Sequence, residues 1–277
     1  MSYEQILYSV DRGVAAVTLN RPEKLNAWTA QMDREVRLAM KEAETDGAVR
    51  VIVLTGAGRG FCAGADMSIL RDIAANGQLP DEAGEVLGHV AHGPAAGRPS
   101  GFQRKYSYFP SLSKPVIAAI HGPAVGLGLI LSLYCDLRFA STEARFGTAF
   151  ARRGLIAEYG VAWMLPRLVG HAHALDLLLS ARIIQAEEAL RMGLVNRMFP
   201  ADTFSAEVMA YARDLAENVS PRSMSIIKRQ VYEAMSQTLE EASAAAGTAM
   251  IASLQSEDFR EGVAHFVEKR TPRFTGR

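Results

Sequence analysis

An excess of charge is the first thing missing from this chain. Lys+Arg and Asp+Glu number 30 each, a formal net charge of +0. Binding nucleic acid through its phosphates needs a basic excess, which excludes it as the main partner but leaves room for a local basic pocket. Cysteine is nearly absent. Cys62 and Cys135 are the only two and lie far apart, which argues against a disulfide framework and fits a reducing cytoplasm. The opening MSYEQILYSVDRG lacks a basic n-region and an apolar core, so no signal peptide is expected. Membrane-length apolar runs are also scarce. The best candidate, Val116 to Cys135, is broken by His121, Pro123 and glycines, which predicts a buried strand followed by a buried helix.

Cofactor motifs are missing too. TGAGRG (Thr55 to Gly60) is not followed by Gly-Lys-Ser/Thr, which rules out a Walker phosphate loop. GLGLIL lacks the third glycine of a dinucleotide fingerprint. His171 and His173 stand two residues apart and splay on a helix, and His89 and His92 lie in a Gly/Pro-rich stretch. No Gly-x-Ser-x-Gly elbow occurs. No metal or redox cofactor is expected.

What is present alternates between periods. QILYSV and VAAVTLN read as a hairpin around Asp11-Arg12-Gly13. Thr29 opens a helix with Met32, Val36, Met40 and Ala43 on one face. VRVIVLTG is a strand buried on both faces. KPVIAAIHG, GLGLILSLY and CDLRFAS then read as strand, helix and strand, an α/β core. From Gly170 the chain turns helical. Phe204, Val208, Ala212, Leu215 and Val219 form one stripe, and Ile227, Val231 and Met235 the next. Ser220-Pro221 predicts an N-cap, and Thr238 with Glu241 a capping box. The boundary falls near residue 200: 1–200 as the α/β body, 201–277 as a helical part. The irregular 67–113 stretch suits a lid or pocket wall. Two glycine-rich turns, CAGAD and HGPAVGLG, each follow a strand and free backbone N–H groups. They are either simple tight turns or a pair of donors converging on one oxygen.

Taken together, LNRPEKLNA, FCAGADM, KPVIAAIHGPAVGLG, CDLRFASTEARFG, AEEALRMGLVNRMF and EGVAHFVEKR resemble the crotonase (enoyl-CoA hydratase/isomerase) superfamily in order and spacing over nearly the whole chain. The resemblance implies a spiral of β-β-α units, a helical C-terminal trimerisation region, and a homotrimer or a dimer of trimers. It implies an acyl-CoA thioester substrate whose enolate is held by two backbone N–H groups, here those of Ala65 and Leu127. Lys24, Ala27, Ala63, Gly64, Asp66 and Gly126 would line the CoA and acyl path. Phe266 and Lys269 would hold CoA bound to a neighbouring subunit.

One departure changes the chemistry. The two glutamates of a family hydratase fall at Ile130 and Phe150, and neither residue can position water or move a proton. Some isomerases of the superfamily instead carry a single acid in an element like GLIAEYG, which nominates Glu158. Ile130, Phe150 and Leu155 would form apolar walls that raise its pKa, while Arg152, Arg153 and a helix start would oppose the rise. The expected reaction is double-bond isomerisation through an enolate. Hydration by a non-standard site and a CoA-binding protein without catalysis are the rivals.

Overall fold

The computed structural model describes residues 3–76 and 100–277. His89 and His92, with the rest of 77–99 in the 67–113 stretch, lie outside the described residues. The chain opens with a hairpin, β1 (Ile6–Asp11) and β2 (Val14–Leu19). Arg12 and Gly13 both take positive φ, as a two-residue turn matching strand twist requires. The helix α1 (Ala30–Thr45) is capped by Thr29, whose hydroxyl accepts from Met32 N at 3.0 Å. Then follow β3 (Val51–Gly56), α2 (Met67–Asn76), β4 (Val116–Ile120), β5 (Pro123–Val125) and α3 (Leu127–Tyr134). After β6 (Leu137–Ser141) and β7 (Arg145–Gly147) come α4 (Val161–Val169) and α5 (His171–Ser180). The rest is β8 (Ile184–Gln185), α6 (Ala186–Arg191), β9 (Arg197–Phe199), α7 (Phe204–Asn218), α8 (Pro221–Glu233), α9 (Leu239–Leu254) and α10 (Glu257–Glu268).

Six strands form one sheet in the order β1-β2-β3-β4-β6-β9, antiparallel only between β1 and β2. A smaller sheet has the order β5-β7-β8. A repeat follows from this. Each of β4 and β6 leaves the large sheet, adds a short strand to the small one (β5, β7), and the chain then enters a helix. The segment after β3 does the same in miniature, through a bridge between Cys62 and Ala124. No helix among the described residues is long and apolar enough to cross a membrane.

Alternation along the strands fills both faces of the large sheet. Ile52, Leu54, Val116, Ala118 and Ile120 pack on the side of α1 and α3. Val51, Val53, Ile117, Ala119 and Phe139 face Phe204, Val208, Ala212 and Ala216 of α7. Ser220 and Thr238 cap α8 and α9 as expected, the latter in a capping box. One stripe is corrected. In α8 the inward residues are Met224 and Lys228, while Ile227 and Val231 are exposed. Lys228 is buried because its ammonium pairs with Asp136 at 2.7 Å and donates to the carbonyls of Phe109 and Lys114. Asp136 in turn accepts from Val116 N, which anchors the turn before β6. Helix α9 buries none of its residues, and α10 leaves Phe259, Val263, Phe266 and Val267 exposed.

Candidate active site

The two glycine-rich turns are laced together by their main chains. Phe61 N and Cys62 N donate to Pro123 O, and Val125 N donates to Cys62 O at 3.0 Å. Glycine is required where they meet. Gly64 has φ +107°, and a Cβ there would lie 3.1 Å from Val125 O. A Cβ on Gly128 would collide with the Cys62 carbonyl.

Each turn presents an unpaired main-chain donor among the described residues. Trp28 bridges Ala65 in parallel fashion: Trp28 N donates to Gly64 O at 2.8 Å, and Asp66 N donates to Trp28 O at 3.0 Å. That pattern turns the Ala65 N–H away from Trp28, and it has no partner among the described residues. Leu127 is the first residue of α3, and its N–H is likewise unpaired, as the first helical amides are. Both residues are half-buried. Two such donors on adjacent segments, one at a helix N-terminus, can hold negative charge developing on one oxygen.

The preceding turn is fixed to this pair. Arg21 donates to Ala27 O at 2.7 Å and pairs with Asp66 at 2.9 Å. Asn26, fully buried with φ +56°, donates to Ala57 O and Gly60 O and accepts from Arg21 N. Ala63 N donates to Leu25 O. Ala27, Ala63, Gly64, Asp66 and Gly126 are thereby gathered in one neighbourhood, and Lys24 stands exposed on the same turn. Asp66 accepts from Ser68 N and Oγ and from Arg21, and these bonds hold its carboxyl below the usual carboxylate range. Arg21 and Asn26 escaped sequence reasoning, and their only signal was their place in LNRPEKLNA.

Glu158 does not sit in the opening turn of α4, as the sequence had suggested. It precedes the helix by three residues and accepts from Val161 N through its main-chain carbonyl. Tyr159 and Gly160 both take left-handed backbone, at φ +50° and +75°. Tyr134 donates its hydroxyl to Tyr159 O at 2.6 Å. The Glu158 side chain is half-buried, and desolvation pushes its carboxyl up. The two arginines are exposed, with Arg152 donating to Ser180 O. Ile130 and Phe150 are buried, whereas Leu155 is more than a third exposed and stands at the surface of the single chain.

An aromatic chain joins the acid-bearing turn to the first donor. The Tyr159 ring meets Tyr106 edge-on at 4.7 Å, Tyr106 meets Trp28 at 6.0 Å, and Trp28 bridges Ala65. Phe266 and Lys269 lie on the exposed end of α10. His171 and His173 are exposed at the start of α5. Among the described residues, no three His, Cys, Asp or Glu side chains gather as a metal site requires.

A family model described as enoyl-CoA hydratase/isomerase matches residues 9–277. The chain belongs to the enoyl-CoA hydratase/isomerase family. It is 35% identical to a 1,2-epoxyphenylacetyl-CoA isomerase of Escherichia coli over 99% of both chains. It is 38% identical to a probable enoyl-CoA hydratase of Rhodobacter capsulatus over the full length of both. Among solved structures, an enoyl-CoA hydratase from Bacillus anthracis superposes with a TM-score of 0.86 at 28% identity, covering 99% of this chain and 100% of the other. This family member is thus an acyl-CoA enzyme of the crotonase fold, with a mostly parallel sheet and a helical C-terminal region.

Proposed function

We propose that this enzyme moves a double bond within an acyl-CoA thioester by way of an enolate, with Glu158 as the only proton carrier. The observation behind the reading is the pairing of a half-buried, desolvated Glu158 with apolar residues at Ile130 and Phe150. With 3-enoyl-CoA, the Glu158 carboxylate removes a proton from C2. The electron pair spreads through the C3–C4 double bond and onto the thioester oxygen, where the Ala65 and Leu127 N–H groups hold the charge. The protonated Glu158 then delivers its proton to C4, giving 2-enoyl-CoA with no net gain or loss of protons. The raised carboxyl pKa suits an acid that must both take and return a proton near neutrality. The cycle calls for no metal or redox cofactor.

CoA is assigned to the path past Lys24, Ala27, Ala63, Gly64, Asp66 and Gly126. Exposed Phe266 and Lys269 are assigned to CoA bound by an adjacent copy in a trimer or dimer of trimers, which the apolar faces of α9 and α10 would join. Two buried, unpaired cysteines fit a cytoplasmic setting.

The test is conversion of 3-enoyl-CoA to the conjugated 2-enoyl-CoA, followed by its absorbance. Glu158→Gln is expected to lower kcat by about a hundredfold or more while CoA binding persists. Wild-type activity in this variant would move the chemistry to another residue. The name of the Rhodobacter relative motivates a second reading, hydration of 2-enoyl-CoA. Rapid formation of 3-hydroxyacyl-CoA with no 3-enoyl turnover would favour it.

A further inference from the structure

Helix α3 touches both halves of the proposed chemistry. Its first residue, Leu127, carries one unpaired main-chain donor. Its last, Tyr134, is buried and reaches the turn that carries Glu158, donating its hydroxyl to Tyr159 O at 2.6 Å. Eight residues of helix separate the two groups by about 11 Å. The helix between them is sealed: Gly128 through Tyr134 are all buried.

The turn is built around that hydroxyl. Tyr159, a bulky residue, holds φ +50°, a conformation such side chains rarely adopt unless their surroundings enforce it. Gly160 has φ +75°, and a Cβ there would lie 2.6 Å from the Tyr134 hydroxyl oxygen. The tyrosine hydroxyl therefore occupies the space that only glycine leaves open.

We infer that Tyr134 is a positioning residue for the reaction: through its hydrogen bond to Tyr159 O it fixes the Glu158 turn at a set distance from the Leu127 amide, with α3 as the strut. The inference rests on the assignment of Glu158 as the proton carrier. Desolvation pushes the Tyr134 hydroxyl up to about 12, so it remains a proton donor across the working pH range. Among the described residues, the other titratable or charged groups around the turn are Tyr159 itself, Tyr106, whose ring meets that of Tyr159 and has Lys105 over it, and Asp33 of α1, whose charge acts on Tyr159, while Arg152 and Arg153 are exposed. Without the hydroxyl, Tyr159 O would seek water, the turn would loosen, and Glu158 would become better hydrated.

Tyr134→Phe keeps the ring in the core and removes only the hydrogen bond. The expected result is a kcat about tenfold lower with KM unchanged within about twofold, as loss of an interaction that orients a catalytic group requires. The acid limb of the kcat–pH profile should move to lower pH, because a hydrated Glu158 titrates closer to an ordinary carboxylate. In the Glu158→Gln background the same substitution should cost nothing further, since its effect passes through the carboxylate.

A Tyr134→Phe enzyme with wild-type kcat and pH profile, alongside an inactive Glu158→Gln, would overturn the strut and leave the proton carrier standing. An equal loss from Tyr134→Phe in both backgrounds would also overturn it, as a structural effect independent of Glu158. A fully active Glu158→Gln would overturn the underlying assignment instead.

Discussion

Strand β3 and helix α9 are both rich in apolar residues, yet they meet opposite fates. Val51, Ile52, Val53 and Leu54 are all buried, whereas α9 buries nothing and leaves Leu239, Met250, Ile251 and Leu254 in solvent. The strand sits between two layers supplied by the same chain: α1 and α3 on one face, α7 on the other. The helix lies outside that sandwich, touching mainly α8 and α10. Burial of each such side chain is worth roughly 1.5–3 kcal/mol. A chain that leaves this many exposed on consecutive helices has an apolar surface of the kind that copies of a protein cover for one another.

That comparison can be broken or sharpened in three ways. The largest effect is expected from Val53→Asp, which puts an unpaired carboxylate between the sheet and α7. It should cost about 4 kcal/mol or more and abolish a cooperative melt followed by circular dichroism. If the variant melted like wild type, β3 would not be the two-sided core strand described here. An intermediate effect is expected from Ile251→Asp with Leu254→Asp on α9. For the oligomer proposed above, light scattering should show its mass falling towards the 30.0 kDa of one chain while the sheet still melts cooperatively. An unchanged mass would mean that this helix face is not where copies meet.

The smallest effect concerns Glu158, a polar group held in an apolar setting. Its folded pKa lies above its unfolded value, so the folded state favours the neutral acid. The resulting penalty is absent below the ordinary carboxylate range and appears as pH rises through it. Glu158→Gln should therefore raise Tm at neutral pH by up to about 2 °C and leave it unchanged near pH 4. A lower Tm at neutral pH would show that the carboxylate stabilises the fold, contrary to its desolvated setting.

Much of the architecture was legible in the residues. The two-sided strands, the caps at Thr29, Ser220 and Thr238, and the split of Val116 to Cys135 all follow from local patterns. The strands β5, β7, β8 and β9 did not show, because two or three residues are too few to display alternation. The α8 stripe of Ile227 and Val231 was misplaced because Lys228 took the inward face. The lysine's charge reads as solvent-facing, and only the tertiary fold brings Asp136 and two carbonyls to meet it. Arg138 is a similar case, buried with Leu194 O and Cys135 O as acceptors. At the candidate site, the glycine turns and Glu158 were visible as motifs. The Arg21–Asp66 pair and the Tyr134–Tyr159 bond span 45 and 25 residues, and no spacing rule reaches that far.

The central claim is that two main-chain amides and one carboxylate generate an enolate from a CoA thioester. Hydrogen exchange at C2 of a saturated substrate tests it most directly, because butyryl-CoA has no double bond to move or hydrate. In deuterated water, wild-type enzyme should introduce deuterium beside the thioester about a hundredfold faster than Glu158→Gln. Equal rates in the two proteins, or no exchange above the uncatalysed rate in wild type, would contradict the account.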